Sequence, residues 1–279
     1  MTNAAQRDGY GDVHIQNVYG TPVISRQVCR YPVKIICTPS TPDNKCISIF
    51  MLSYGGGLVS GDKVNMNFIF GEGVKGSLLT QGSTKVFKQL HPSHITQTQI
   101  TVEVQDHALC TFIPDPVQPF AGSYYRQLQT FKLSLEASIV VLDWTTSGRA
   151  AFERDWSLQY YRSRNDFYKD SQLLTRDTMQ IEGHGVNEKM KGCGCFATLF
   201  LYGPKVGFLQ SSIREKFSFQ QKVRRGVVPP DLLWTAGDHS GMLIVRVSAP
   251  TTEQVRDFLY TLLQPLESLI GDRAFRALK

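Results

Sequence analysis

The chain has 279 residues, of which 42% are hydrophobic and 19% charged, a globular composition that excludes a disordered protein and an alanine-, glutamate- and lysine-rich helical bundle. Its 30 Lys and Arg residues outnumber its 24 Asp and Glu residues and give a formal net charge of +6, which could attract nucleic acid, an anionic membrane or an acidic protein. The densest basic group, Lys222, Arg224 and Arg225, lacks the interleaved aromatic residues of a base-stacking surface, so we expect no nucleic-acid and no membrane binding.

The first segment, residues 1–11, is polar and lacks the positively charged start and apolar stretch of a secretory signal. No later run reaches the roughly 18 uninterrupted apolar residues of a membrane-spanning helix. We therefore expect a soluble cytoplasmic protein. Its six cysteines should be free thiols, because a reducing compartment disfavours disulfides.

Alternation of apolar and polar residues with a period of two recurs from about Val13 to about Ala249, as in Ile100, Val102 and Val104. Turn-forming Gly, Pro, Asn and Asp residues separate most of these segments. The other predicted strands are 46–53, 64–70, 77–80, 130–135, 139–143, 172–178, 196–201 and 242–247. The sequence thus predicts a mainly β fold, with a large β-helical or wound antiparallel sheet body over about 12–249.

Two glycine-containing segments have some features of phosphate-binding loops. In MLSYGGGLVSGD, residues 51–62, Gly61 is followed by Asp62, whereas a P-loop has Lys followed by Ser or Thr at this point, and the carboxylate would repel a phosphate. GSTK, residues 82–85, follows a predicted strand with no helix after it. Neither segment predicts nucleotide binding.

Three further motifs have incomplete matches to known chemistry. His91 and His94 are spaced as H-x-x-H but lie in a polar loop, without the helix of an H-E-x-x-H site. Cys193 and Cys195 have no second pair at zinc spacing, so we interpret them as structural thiols. In GDHSG, residues 237–241, the serine sits one place too late for a nucleophile elbow, and a polar loop before a strand is the simpler interpretation.

Four carboxylates lie in or beside segments rich in Gly and Pro, namely Asp62, Asp115, Asp143 and Glu153. Any two of them could act as the acid and base of a carbohydrate-active hydrolase. Each alone is by default a turn cap or a surface residue. Spacing does not decide which of them converge, so a hydrolase and a purely structural scaffold both stay open as alternatives.

The pattern becomes helical near the C-terminus. Thr251 and Gln254 form a capping box, and Pro265 closes the helix. The apolar positions at helical spacing are Val255, Phe258, Leu259, Leu262 and Leu263. We predict a C-terminal helical element over 251–271 in a single domain, 1–279, with this stripe buried against the β body or a partner.

Four blocks of the chain, taken in order and spacing, resemble the UreD (UreH) family of urease accessory proteins. They read GGGLVSGD at 55–62, LLTQGSTKVFK at 78–88, IPDPVQPFAGS at 113–123 and LDWTTSGRAAFERDW at 142–156. One departure is Phe152, where the family commonly has glycine before the glutamate. Phe adopts a positive φ less freely than Gly, so Glu153 carries less weight than Asp62.

The resemblance implies an all-β winding of sheets and a non-catalytic accessory protein of urease maturation. Its implied partners are UreF, the GTPase UreG (reached through UreF) and apo-urease. Its implied cargo is a transient nickel ion, with no tightly bound cofactor, moving through an internal water-filled passage. Asp62, Asp115, Asp143 and Glu153 are then the candidate nickel-transit residues, and Lys85 would balance charge near them. Dispersed carboxylates suit a conduit, which must bind its ion weakly enough to release it.

Overall fold

The computed structural model describes residues 8–39, 46–148, 156–182, 185–223 and 231–279. The strands within these ranges are, in chain order, β1 (Asp8–Val18), β2 (Thr21–Arg30), β3 (Val33–Thr38), β4 (Cys46–Ser53), β5 (Lys63–Phe70), β6 (Lys75–Thr80), β7 (Thr84–Val86), β8 (Thr96–Val104), β9 (Leu109–Phe112), β10 (Val117–Pro119), β11 (Tyr124–Leu133), β12 (Ser138–Thr146), β13 (Tyr160–Lys169), β14 (Gln172–Glu182), β15 (Cys195–Tyr202), β16 (Leu233–His239) and β17 (Met242–Ala249). The α-helices are α1 (Val186–Met190), α2 (Gly207–Val223), α3 (Thr252–Leu263) and α4 (Glu267–Ile270), and short 3₁₀ turns lie at Tyr54–Gly56, Pro204–Val206, Gln264–Leu266 and Asp272–Leu278.

The strands form two sheets. Sheet A has the order β14-β13-β11-β8-β5-β1-β2, and sheet B has the order β16-β17-β15-β12-β9-β6-β4-β3, with β10 and β7 joined beside β12. From β4 to β13 the chain passes repeatedly from one sheet to the other, so neighbours such as β5, β8, β11 and β13 run parallel. Antiparallel hairpins, such as β13 with β14 and β16 with β17, lie toward the sheet ends. The predicted mainly β, wound body is confirmed. Its central strands are parallel because the chain enters each sheet in the same direction at every turn of the winding.

The central strands of sheet B are buried on both faces and separate two apolar cores. On β12, Ile139 and Val141 face sheet A and belong to the core between the sheets. The alternate residues Val140 and Leu142 belong to a second core under the C-terminal helices. Successive side chains of a strand point to opposite faces, so β12 reads as an almost continuous apolar run.

Helix α2 was not predicted, because it lies inside the region interpreted as a β body. Its inward residues Leu209 and Ile213 are fully buried, but Phe208 and Phe219 are exposed. Apolar residues on both sides of the helix blur the one-sided stripe that marks an amphipathic helix. The sequence therefore gave no clear helical period for residues 207–223.

Helix α3 closes the outer face of sheet B. The predicted capping box is present, with the Gln254 amide donating to Thr251 Oγ1 at 3.3 Å and the Thr251 amide donating to Gln254 Oε1 at 3.2 Å. Of the predicted apolar stripe, Val255, Leu259, Leu262 and Leu263 are buried in the core beneath the helix. Phe258 is half-buried, with its ring 5.1 Å from that of Trp234. Among the described residues, no helix is long and apolar enough to cross a membrane.

Candidate functional site

A cavity that opens to solvent lies between the two sheets, and its empty space is about 670 Å³ with the open part included. Its walls come from both sheets, and two of the four predicted carboxylates, Asp115 and Asp143, line it. The other polar residues of the lining include Thr80, Thr84, Thr98, Tyr125, Gln127 and Gln129. A core between packed sheets is normally apolar, so a group of polar side chains here needs a physical or functional reason.

Asp143, on β12, is the centre of a hydrogen-bond network inside the body. Ser163 Oγ and Asn165 Nδ2 donate to its Oδ2 at 2.6 and 2.7 Å, and Gln127 Nε2 lies 3.3 Å from its Oδ1. Gln127 also accepts a hydrogen bond from the Tyr125 hydroxyl at 3.1 Å. Parallel strands β11 and β13 place Gln127 opposite Ser163, so the strand register itself aligns these donors toward the carboxylate.

The electrostatic environment of Asp143 disfavours its charged form. Burial raises the pKa of this carboxyl above its ordinary value of 3.8, while hydrogen bonds from Ser163 and Asn165 oppose the rise. The negative charge of Asp177 raises the pKa further. Burial also raises the pKa of the nearby Tyr161 hydroxyl, with a contribution from Asp143. A cation near Asp143 would therefore relieve an unfavourable charge.

Asp115 reaches the same cavity from the loop between β9 and β10. Its Oδ2 accepts hydrogen bonds from Thr80 Oγ1 and from the Gly82 amide, both at 2.8 Å. Its own amide donates to Thr80 Oγ1 at 2.7 Å. The carboxylate is thus fixed to the turn after β6, where the GSTK segment, residues 82–85, begins.

Two buried amide oxygens extend the polar lining of the interior. Gln129 and Asn165 lie opposite each other on β11 and β13 and are 2% and 0% exposed. In the described part of the chain, neither Gln129 Oε1 nor Asn165 Oδ1 has a hydrogen-bond partner. A buried acceptor without a partner is costly, and a water molecule or a hydrated cation would satisfy it.

A row of polar residues continues from Asp143 toward the far edge of the sheets. Asp143 lies opposite Thr198 on β15, and Thr198 lies opposite Arg246 on β17. Arg246 forms an ion pair across the sheets with Asp177, at 2.5 Å, and Asp177 lies opposite Asn165. Arg246 and Thr198 line a second, open cavity of about 900 Å³. Polar side chains therefore form a row between the two cavities.

The other predicted site residues lie elsewhere. Asp62 is 3% exposed and does not line the 670 Å³ cavity; its Oδ2 accepts from the Val59 amide at 2.9 Å, and its own amide donates to the Val59 carbonyl at 3.0 Å. This is a turn-capping contact. Lys85, on β7, is exposed, whereas its neighbour Thr84 lines the cavity. Glu153 lies outside the described residues.

Asp62→Asn should leave the fold intact, because the side chain keeps an oxygen that can accept the Val59 hydrogen bond. If Asp62 serves only this turn, the variant will bind divalent cations as the unaltered chain does. If Asp62 attracts a divalent cation, loss of its charge will weaken that binding while the melting temperature stays the same. Thermal unfolding and a titration with a divalent metal ion separate the two roles, and parallel loss of stability and binding would make Asp62 structural.

The uncharged polar residues of the site were not predicted from the sequence. Gln127, Gln129, Ser163 and Asn165 are all buried, and each occupies an inward position of a strand. In a half-buried strand, period-two alternation places apolar residues at inward positions. A polar residue at such a position could have indicated a polar site inside the body. Within the described ranges, no group of three or more His, Cys, Asp and Glu residues could hold a metal. The described side chains around the cavity therefore offer scattered oxygen and amide groups, which is not the ligand set of a closed structural metal site.

Comparison with known proteins shows one consistent similarity. Residues 7–278 match the family model of the UreD urease accessory protein. A Schizosaccharomyces pombe protein named as an uncharacterized urease accessory protein ureD-like is 32% identical, over 97% of this chain and 98% of that protein. The urease accessory protein D of Arabidopsis thaliana is 28% identical over 95% and 99%, and the UreD of Sorangium cellulosum is 30% identical over 97% and 84%.

Proposed function

Because the chain belongs to the UreD urease accessory protein family, we propose that it acts in urease maturation as a non-catalytic subunit that conducts nickel to apo-urease. In this proposal it links apo-urease to UreF and, through UreF, to the GTPase UreG. Membership of the family favours this role over a carbohydrate-active hydrolase. It also favours it over a scaffold that never meets the metal.

The observation that carries the proposal is the pair of carboxylates in one inter-sheet cavity. Asp115 lies in the loop between β9 and β10 and Asp143 lies on β12, yet both line the same 670 Å³ cavity. Oxygen donors of this kind accept Ni(II), although softer ligands bind it more tightly. The unsatisfied oxygens of Gln129 and Asn165 add neutral acceptors deeper in the body.

The environment of Asp143 favours reversible binding. Burial raises the pKa of this carboxyl, and its Oδ2 already accepts hydrogen bonds from Ser163 and Asn165, so a metal ion must compete with these donors for the carboxylate. Such competition weakens the hold on the ion without removing the site. A conduit needs this balance, because an ion that binds too tightly is not passed on.

The Arg246 side chain marks one end of the polar row. Its guanidinium neutralises Asp177 and would repel a divalent cation approaching from the 900 Å³ cavity. Among the described residues, the lining of the cavity beside Asp115 and Asp143 contains no Lys or Arg. We therefore place the higher affinity for nickel at the carboxylate end.

The partner part of the proposal is tested by co-purification. Tagged chain, expressed with UreF and UreG from the same organism, should retain both proteins, and retention of UreG should require UreF. A chain expressed with UreG alone serves as the control. Properly folded UreF that fails to bind a properly folded chain would remove the proposed link between the GTPase and urease.

A further inference from the structure

We propose that His91 and His94 form a surface binding site for a divalent late first-row transition metal ion. The two residues lie in the loop between β7 and β8, outside the 670 Å³ cavity. Their ring centroids are 5.3 Å apart, with the ring planes tilted by 48°. The inference goes beyond the proposed function, because it concerns binding to the isolated chain and needs no partner.

The backbone holds the two histidines at the ends of one tight turn. The His94 amide donates to the His91 carbonyl at 2.9 Å, which is the closing hydrogen bond of a four-residue β-turn. Pro92 occupies the second position, where its fixed φ suits such a turn, and Ser93 occupies the third. The turn therefore brings the two imidazoles together before any ligand binds.

The turn is also anchored to the rest of the molecule. Gln89 Nε2 donates to the carbonyls of Pro92 and His94 at 3.3 and 3.2 Å. The Leu90 amide donates to Ser60 Oγ at 2.9 Å. His94 packs over Gly61 so closely that a Cβ at Gly61 would lie 3.3 Å from His94 Cβ. Anchoring lowers the entropy lost when a ligand fixes both rings.

The ring separation suits one metal ion bound by both imidazoles. A metal–nitrogen distance of about 2.1 Å, added to about 1.1 Å from ring nitrogen to ring centre, places each ring centre about 3.2 Å from the ion. Two rings at a tetrahedral angle are then about 5.2 Å apart, and two rings at a right angle about 4.5 Å apart. The observed 5.3 Å is close to the tetrahedral value, so one ion can bind both rings when one nitrogen of each ring turns toward it.

Ser93 holds the orientation of the His91 ring. The Ser93 amide donates to His91 Nδ1 at 3.3 Å, and Ser93 Oγ lies 2.7 Å from the same nitrogen. Nδ1 is therefore the hydrogen-bond acceptor in the unbound chain. Metal binding at Nε2 requires the other tautomer, in which Nδ1–H donates to the Ser93 hydroxyl oxygen and fixes the ring, while the Ser93 amide gives up its bond to the ring.

The site offers two protein ligands and leaves the others to solvent. No third His, Cys, Asp or Glu completes a metal-holding group in the described part of the chain. Water or a ligand from another molecule would fill the remaining positions, so binding should be moderate and reversible. Imidazole suits Cu(II), Ni(II) and Zn(II), with Cu(II) the tightest of the three. Mg(II) and Ca(II), which prefer oxygen, should not compete.

The test is equilibrium dialysis and calorimetry of the full chain with Ni(II), and separately with Cu(II). His91→Gln and His94→Gln should each weaken binding at one site by at least tenfold, and the double variant should lose one equivalent of bound metal. His239→Gln, at an exposed strand end, is the matched control and should bind like the unaltered chain. Thermal unfolding should be unchanged in all four, because the His91 turn is at the surface.

The outcomes separate this site from the nickel passage. Asp143→Asn should leave the histidine equivalent in place, whatever it does to urease activation, whereas the double variant His91→Gln, His94→Gln should remove that equivalent with the cavity carboxylates intact. The same affinity and the same metal count in the double histidine variant and in His239→Gln would overturn the inference. The ring pair would then be a contact between neighbouring side chains only.

Discussion

Leu259→Asp should abolish stable folding of the chain. Leu259 is 0% exposed and packs in the core between α3 and sheet B. Truncating such a leucine costs about 2–5 kcal/mol, and burying a carboxylate without a partner adds several more. Domains of this kind are stable by only about 5–15 kcal/mol. We expect insoluble protein or a chain without a cooperative unfolding transition, as measured by near-ultraviolet circular dichroism and urea titration.

Thr261→Asp is the matched control, because it adds the same charge to an exposed position of the same helix. A negative charge near a helix C-terminus should cost about 0.3–1 kcal/mol. Leu262→Asp should behave like Leu259→Asp, and Phe258→Asp should have a smaller effect, because Phe258 is only half-buried. An unchanged melting temperature for Leu259→Asp would show that α3 is not part of the folded core.

The double variant Asp115→Asn, Asp143→Asn should lower urease activation at limiting nickel by at least tenfold. Asparagine keeps an acceptor for Thr80 at position 115 and for Ser163 at position 143. It removes two negative charges from the cavity that holds both side chains. Attraction for a divalent cation in this partly buried space depends on those charges, so the conduit loses its main attraction while its shape persists.

Asp238→Asn is the control for this experiment, because Asp238 is exposed and pairs with Arg214 outside the cavity. Excess nickel should partly restore activation by the double variant, since a weaker site fills at higher concentration. The complex with UreF should form normally. Full activation at every nickel concentration would remove the two carboxylates from the nickel path.

About half of the described strands could be predicted from the sequence, because alternation reports directly which face of a strand is buried, whereas β3, β9 and β13 were not predicted. The segment Ile100, Val102 and Val104 lies in β8 as predicted, with all three residues buried. Sheet membership could not be predicted. Parallel pairs such as β5 with β8 join residues far apart in the chain, and nothing local encodes that pairing.

The candidate site could be predicted only in its charged members. Asp115 and Asp143 were predicted as site residues because they are carboxylates beside turn-forming segments, and both line the cavity. Asp62 shared the same local signal but lies in a capped turn, because a carboxylate after glycine is equally suited to either role. Gln127 and Asn165 carry no motif, and their importance appears only once β11, β12 and β13 bring them to Asp143.

The nickel content of urease after reconstitution tests whether this chain delivers nickel. Apo-urease, UreF, UreG, GTP and limiting nickel are incubated with and without this chain, and nickel bound to re-purified urease is measured together with urease activity. We expect the bound nickel and the urease activity to rise only when the chain is present, and the Asp115→Asn, Asp143→Asn variant to give little of either. Equal nickel incorporation in the absence of the chain would contradict its proposed role in nickel delivery.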